Sequence, residues 1–204
     1  MSGQSVDIKD KISGWVNECK KIYSEIRNLK RFSEEDTKVK FIFPLFEILG
    51  WNLRSPLETE MEFGSYDESI DEELSRDWSE WALSWRQLSK GIQVDCAFKI
   101  CSKPHILLEC KKLAIKYYDF PSLQNPIGVK NFAYAIRLGA KHVVFTNFLK
   151  MLIIDVSPGE YVKSQKSLRK LVEKSHQSYF ENTDDYVSRY DELRALARPK
   201  SAIK

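Results

Sequence analysis

Two neighbouring stretches near the middle of the chain alternate apolar and polar side chains with a period of two. The first covers residues 92 to 100 and the second covers residues 105 to 111. Such alternation is typical of half-buried β-strands, and Pro104 with the polar residues before it favours a turn between them. The pattern therefore predicts a β-hairpin.

Charged side chains occupy defined positions in this hairpin. Asp95 lies on the less apolar face of the first strand, whereas Glu109 and Lys111 share one face of the second. If Asp95 pairs with residue 109 or 111, both carboxylates point to the same face, and a loop of about five or three residues would connect the strands. Two facing carboxylates suit a hard divalent cation, and a neighbouring Lys suits an activated water or a phosphate oxygen. The alternative is a structural ion pair on a sheet face.

Helical spacing predicts two helices before the hairpin. Residues 6 to 29 repeat apolar side chains at the spacing of an amphipathic helix. Ser33 is a favourable N-cap and Gly50 a favourable stop for a second helix, which Pro44 should kink. Glu47 is the only ionisable side chain in the apolar second half of this helix, so its carboxylate needs compensation. It either belongs to a metal site, or it reaches solvent or an Arg partner.

Periodicity elsewhere completes a predicted α/β fold. An acidic insertion at about residues 64 to 90 contains an amphipathic helix with three tryptophans on one side, which should dock onto the body or a partner rather than stack on bases. After the hairpin, the order strand, helix, strand predicts a parallel joint, so the sheet should be mixed and have helices on both faces.

The boundaries expected are a first strand at 57–63, the Trp-rich helix at 70–89, a helix from 125 or 126 to 139, strands at 142–146 and 151–156, and helices at 164–180 and 183–197. These elements predict an α/β domain at residues 1 to 160 and a C-terminal helical extension at residues 161 to 204.

Composition narrows the class of protein. The chain has 204 residues, of which 43% are hydrophobic, and this suffices for one principal domain. It lacks the roughly 18-residue apolar run of a membrane span and the layout of a secretory signal, so we expect a cytoplasmic protein with no membrane partner. The four cysteines have no C-x-x-C spacing, so neither zinc nor disulfides are expected.

Charge is distributed unevenly, although the net charge is only +3. Residues 58 to 80 contain ten acidic residues and one Arg, a local charge of −9, so the rest of the chain carries +12. Clusters of Lys and Arg in that remainder could neutralise phosphates, or they could simply solvate helix faces.

The Asp followed by a Glu-x-Lys on consecutive strands resembles the PD-(D/E)xK nuclease superfamily. Residues 37 to 51, which end in Leu-Gly-Trp, are similar to the helix that carries the first acidic residue of that superfamily. Residues 143 to 156, with their Thr-Asn pair, are similar to the closing strands in the endonuclease domain of type I and type IIG restriction enzymes. The resemblance covers roughly residues 33 to 156 and implies a restriction-endonuclease-like mixed β-sheet flanked by helices.

The resemblance implies a role for each residue of the site. Asp95 and Glu109 would ligate Mg²⁺ or Mn²⁺ together with the backbone carbonyl of Cys110. Glu47 would hold the metal through water, and Lys111 would orient the attacking water.

Nucleic-acid contacts are expected from Lys112 and Lys116, which belong to a basic cluster, and from Lys130 and Tyr134. Lys130 stands where relatives carry the Gln of a Gln-x-x-x-Tyr motif, which here would end at Tyr134.

The function implied is a Mg²⁺-dependent DNA endonuclease module of a restriction-modification or related defence system, which hydrolyses phosphodiester bonds. The alternative is a non-catalytic nuclease-fold module that binds DNA or serves in assembly. The partners expected are DNA and a methyltransferase or target-recognition domain or subunit, and a homodimer is left open.

Overall fold

The computed structural model of the protein describes residues 3–26, 32–65, 92–114, 126–156, 171 and 173–200. The helices are α1 (Gly3–Glu25), α2 (Glu34–Thr37), α3 (Phe43–Ile48), α4 (Pro126–Leu138), α5 (Asp185–Ser188) and α6 (Tyr190–Leu193), with a π-helical turn at Lys38–Ile42 and a 3-10 turn at Arg194–Leu196. The strands are β1 (Thr59–Ser65), β2 (Ile92–Ile100), β3 (Lys103–Cys110), β4 (His142–Thr146), β5 (Met151–Asp155) and β6 (Gln177–Phe180). The Trp-rich helix predicted at 70–89 lies outside the described residues.

The strands of the described part form one mixed sheet in the order β1 to β6. β3 and β4 are parallel, and every other neighbouring pair is antiparallel. α4 lies between β3 and β4 in the chain, as a parallel joint requires, because a tight turn cannot bring two parallel strands side by side. The predicted mixed sheet with an antiparallel hairpin and a parallel joint is confirmed.

The hairpin of β2 and β3 has the predicted register but a different loop. Cys96 pairs with Leu108, so Asp95 and Glu109 are the next residues along their strands. The connection is the two-residue turn Cys101 and Ser102, and both residues have positive φ, 50° and 65°, as a primed hairpin turn requires. The expected loop of three or five residues is therefore wrong, because an irregularity next to Phe98 takes up the extra residue on β3.

The core of the described part of the chain consists of two clusters, one on each face of the sheet. The first joins the sheet to α1, α3 and the C-terminal helices, and in it the rings of Phe46 and Phe98 stack with centroids 4.3 Å apart. The second joins the other face to α4 and includes Phe132 of that helix and Phe145 of β4. Helices therefore cover both faces, as the alternating pattern predicted.

The helix predicted to begin after Ser33 forms in three pieces. A capping box at Ser33 holds its first turn. The backbone then passes through the π-helical turn Lys38–Ile42, in which the amide of Phe43 bonds to the carbonyl of Lys38. Pro44 follows at once in the first turn of α3, where its missing N–H costs little. The described irregularity is the π-helical turn, which ends two residues before Pro44, and the kink at Pro44 itself stays a prediction.

The first helix is anchored to this broken helix by a buried side chain. The indole Nε1 of Trp15 donates to the carbonyl of Phe41 at 3.0 Å. α1 covers Gly3–Glu25 rather than the predicted 6–29. No helix in the described ranges is long and apolar enough to cross a membrane.

The C-terminal segment is not the purely helical extension that the sequence predicted. Gln177–Phe180 form a strand that pairs with β5 at the edge of the sheet, where a helix was expected. Tyr186, Tyr190 and Leu193 then pack in the same core cluster as α1 and α3. The apolar positions that look sparse in the sequence are therefore buried against the sheet, and the described part of the extension completes its fold.

Removing the hydroxyl of Tyr186 should measure how much one buried hydrogen bond of this segment contributes to the free energy of unfolding. Its Oη is buried and donates to the carbonyl of Phe148 at 2.9 Å. Tyr186→Phe leaves that carbonyl without its donor, so we expect the free energy of unfolding in urea to fall by about 1 to 2 kcal/mol. Tyr179→Phe is the matched control, because Tyr179 is exposed, and it should change stability by less than about 0.5 kcal/mol. Equal losses in the two variants would contradict a stabilising role of the buried hydrogen bond from Tyr186 to Phe148.

Candidate functional site

The candidate site lies where β2 begins and β3 ends, beside the first turn of α2. Asp95 comes from β2, Glu109 from the end of β3, and Lys111 from the residue after that strand. The amide of Lys111 donates to the carbonyl of Thr146 at 2.8 Å, so the chain beyond β3 stays attached to β4. The three residues that the sequence placed together are therefore brought together.

Asp95 uses its two carboxylate oxygens for different partners. Oδ2 accepts a hydrogen bond from the backbone amide of Cys110 at 2.5 Å, which holds the carboxylate against the end of β3. Oδ1 lies 3.2 Å from the ammonium of Lys38. The side chain is only 15% exposed, so its charge depends on these partners rather than on water.

Glu109 and Lys111 form a close ion pair, with 2.6 Å between Oε1 and Nζ. Burial raises the pKa of Glu109 and the nearby carboxylate of Asp95 adds to that rise, against the opposing effect of Lys111. Burial alone would lower the pKa of Lys111, but Glu109 and then Glu34 outweigh it, so that pKa is raised. Lys111 is therefore a firmly charged ammonium between carboxylates.

The first turn of α2 contributes two further acidic residues. Glu34 lies 3.9 Å from the ammonium of Lys111, and Glu35 lies 2.7 Å from that of Lys38. Each lysine thus bridges one helix carboxylate and one strand carboxylate. The four carboxylates and two ammonium groups carry a formal charge of −2.

Sequence reasoning missed Glu34 and Lys38 as residues of this site. It assigned the acidic residues after Ser33 to the favourable first turn of a helix, and the capping box confirms that part of their role. The signal that could have found them is their spacing, because residues four apart lie on the same face of a helix. One face of this helix therefore presents both an acid and a base to the hairpin.

Glu47 is not part of the cluster. It is exposed, and within the described residues its carboxylate makes no hydrogen bond or ion pair. Leu45, Phe46 and Leu49 are buried, so the helix turns its opposite side, which carries Glu47, towards solvent. The expectation that Glu47 holds the metal through water is therefore corrected: the acidic residues that α2 and α3 bring to the hairpin come from the first turn of α2.

The expected nucleic-acid contacts have different outcomes. Lys112 is exposed directly beside the site. Lys116 and the side chain of Lys130 lie outside the described residues, although Lys130 itself belongs to α4. Tyr134 is only 1% exposed and its ring packs near that of Phe63, so it serves the core and cannot stack on a base in this arrangement. The predicted contact from Tyr134 is therefore corrected.

The Thr-Asn pair at the end of β4 stabilises the turn beside the site. The hydroxyl of Thr146 accepts from the amide of Phe148 and donates to the carbonyl of Lys150, and the side chain of Asn147 accepts from the amide of Lys150. These bonds close the turn between β4 and β5. This turn also fixes the carbonyl of Thr146, which accepts a hydrogen bond from the amide of Lys111.

The donor set can be compared with the needs of a metal ion. No group of three or more His, Cys, Asp or Glu side chains in the described ranges is arranged to hold one. Mg²⁺ in proteins, however, commonly uses one or two carboxylates and completes its octahedron with water. The oxygens of Asp95 and Glu109 are of the right type, and a divalent cation would neutralise the formal charge of −2. The residues present therefore fit Mg²⁺ or Mn²⁺ in chemistry.

The predicted third ligand was the carbonyl of Cys110. At this end of β3, the described contact of the Cys110 backbone is the hydrogen bond from its amide to the carboxylate of Asp95. The ligand role of its carbonyl stays a prediction.

Comparison with known proteins adds no relative. No family model, curated protein or solved structure matches this chain. The likeness to the PD-(D/E)xK superfamily therefore rests on the residues and their arrangement alone.

Proposed function

We propose that the protein is a metal-dependent endodeoxyribonuclease with a restriction-endonuclease-like fold, acting as a module of a restriction-modification or related defence system. The observation that supports this most is the convergence of Asp95, Glu109 and Lys111 at the ends of two adjacent strands, in a cluster that retains a formal charge of −2. The order of elements, a helix before an antiparallel hairpin and a crossover helix before a parallel strand, agrees with the proposal.

Each residue of the cluster has a chemical task in this proposal. Asp95 and Glu109 would hold Mg²⁺ or Mn²⁺ through carboxylate oxygens. The bound ion would supply Lewis acidity and a more acidic water. Lys111 would orient the attacking water and place positive charge next to the phosphate, where negative charge grows as the bond to the water forms.

A purely structural ion pair explains the cluster less well. Carboxylates and ammonium groups that are mostly buried cost desolvation energy, and such pairs are often replaceable by apolar side chains without loss of stability. Here two strand carboxylates lie near each other, and Asp95 raises the pKa of Glu109 further. An arrangement that keeps repelling charges together favours a ligand that compensates them.

The substrate proposed is DNA, and Lys112, which is exposed and next to Lys111 in the chain, would contact a phosphate. A methyltransferase or target-recognition domain or subunit is the partner proposed for selecting the DNA site.

The test is a cleavage assay with the purified protein on supercoiled, linear and single-stranded DNA, in Mg²⁺, in Mn²⁺ and in EDTA. We expect nicked or linear products with either metal and none with EDTA. Metal-independent DNA binding with no cleavage of any substrate would contradict the proposed nuclease activity and support the alternative function, a non-catalytic nuclease-fold module.

The two glutamates of the broken helix should differ in importance. Glu34→Gln removes a carboxylate 3.9 Å from the ammonium of Lys111, so we expect the cleavage rate to fall roughly tenfold, as for other residues that orient a site. Glu47→Gln is the matched control on the same helix, and its exposed side chain predicts an unchanged rate. A larger loss of cleavage rate in Glu47→Gln than in Glu34→Gln would support Glu47 as the helix residue of the site and contradict that role for Glu34.

A further inference from the structure

Lys38 lies in the candidate site, but the proposed reaction gives it no role. Its side chain is only 12% exposed, and its ammonium lies 2.7 Å from Glu35 and 3.2 Å from Asp95. Burial alone would lower the pKa of Lys38, but Glu35 and Asp95 outweigh it and raise that pKa, so the side chain carries a full positive charge.

The ammonium contacts the oxygen of Asp95 that a cation needs. Oδ2 of Asp95 already accepts a hydrogen bond from the backbone amide of Cys110 at 2.5 Å. Oδ1 is therefore the oxygen with the greater remaining capacity for a cation, and it faces Lys38. An ammonium and a divalent cation on the same oxygen repel each other strongly at a few ångströms, so the two compete for it.

The local backbone gives the lysine a second carboxylate. Lys38 is the first residue of the π-helical turn, a feature that occurs often at functional sites. Glu35, three residues earlier on the same side of the helix, is 67% exposed. The ammonium can therefore leave Asp95 and keep a partner at the rim of the site, without a change in the fold.

We propose that Lys38 is a tethered counter-ion that holds Asp95 until a divalent cation displaces it. This inference rests on the proposed metal site and adds a residue that sets its affinity. Lys38 is a positioning residue in this scheme: it compensates the buried carboxylate of Asp95 before the cation binds, and it lowers the affinity of the site for that cation.

Calorimetric titration of Mn²⁺ into the full chain tests the inference without any activity measurement. Lys38→Met keeps an unbranched side chain out to Cε and removes the charged ammonium, so we expect Mn²⁺ to bind at least roughly tenfold more tightly than to the wild type. Lys38→Arg keeps the charge and should bind Mn²⁺ as weakly as the wild type. A lysine with a merely structural role would give the opposite result for Lys38→Met, namely weaker binding.

Lys40→Met is the matched control. Lys40 lies in the same π-helical turn and pairs with Asp36 at 2.9 Å, but it is half exposed and contacts neither strand carboxylate. Its loss should leave the affinity for Mn²⁺ unchanged.

Thermal unfolding with and without Mn²⁺ keeps the result interpretable. Tighter binding to the folded state should produce a larger Mn²⁺-induced rise in Tm in Lys38→Met than in the wild type. Lys38→Gln, which retains a hydrogen-bond donor, serves as the second neutral variant. If neither neutral variant folds even with Mn²⁺ present, the inference is overturned, because a cation that displaces Lys38 should then compensate Asp95 in its place.

The remaining outcomes separate this inference from the proposed function. Mn²⁺ binding that is equal or weaker in folded Lys38→Met, with normal binding in the wild type, overturns the role of Lys38 and leaves the metal site intact. Absence of Mn²⁺ binding in the wild type and in both neutral variants removes the metal site itself, and the inference falls with it.

Discussion

An Asp95→Asn protein should cleave no DNA. The neutral amide keeps the size of the side chain but loses the charge that the proposed metal needs, so we expect the rate to fall by a factor of about a thousand or more. The same loss of charge should remove Mn²⁺ binding in calorimetry. The DNA affinity should change little or rise, because removing a carboxylate relieves repulsion of the phosphates, and most of the affinity comes from basic groups spread over the surface.

Glu60→Gln provides a matched control for Asp95→Asn. Glu60 is an acidic residue of the same sheet, and its carboxylate lies 2.8 Å from the ammonium of Lys99. Lys99 lies on β2, four residues after Asp95. Replacing Glu60 should leave cleavage and Mn²⁺ binding unchanged. Full activity in Asp95→Asn, with the protein folded, would rule out the proposed site.

Lys111→Met should separate catalysis from metal binding. It removes the ammonium 2.6 Å from Glu109, so we expect the cleavage rate to fall on the order of a hundredfold or more, as when a positioned charge or proton-transfer group is lost. The affinity for Mn²⁺ should be kept or should rise, because a positive charge beside the ligands has gone. Single-turnover cleavage and calorimetry on the same preparation measure both quantities.

The control for this variant is Lys103→Met. Lys103 begins β3 at its opposite end and is exposed, so its loss changes net charge by the same amount without touching the site. We expect its rate to stay close to that of the wild type. If Lys111→Met and Lys103→Met lose activity equally, the effect comes from net charge, and Lys111 has no special role in the reaction.

The order of elements through β5 and the hairpin register could be predicted from the sequence because both depend on local signals. Alternating apolar residues define β2 and β3, and a slip of one residue would expose their buried face. Pro126 and Gly139 mark the ends of α4 in the same local way, and Gly139 has the positive φ of 68° that a helix stop uses.

The loop between β2 and β3 could not be predicted with equal success. A two-residue turn with an irregularity in the strand gives the same register as a longer loop without one. The sequence signal for the turn, Cys-Ser-Lys-Pro, contains neither Asn-Gly nor Gly, so the usual mark of a primed turn was missing.

The error at Gln177–Phe180 has a non-local cause. The segment forms a strand because β5 offers an edge to which it can bond. Context of this kind overrides weak helical spacing in a four-residue segment, since strand propensity depends strongly on what a segment packs against. No local pattern in the last forty residues records the presence of that edge.

The sequence by itself determined that Asp95, Glu109 and Lys111 can meet, because hairpin pairing and side-chain alternation follow from nearest neighbours along the chain. Only the tertiary structure decided which helix residues join them. The buried face of α3 turns Glu47 away from the sheet, and the packing of the broken helix against the sheet brings Glu34, Glu35 and Lys38 to the hairpin. This packing joins distant segments of the chain, and its outcome is a cluster in which each strand carboxylate has a lysine partner while the cluster as a whole keeps a formal charge of −2.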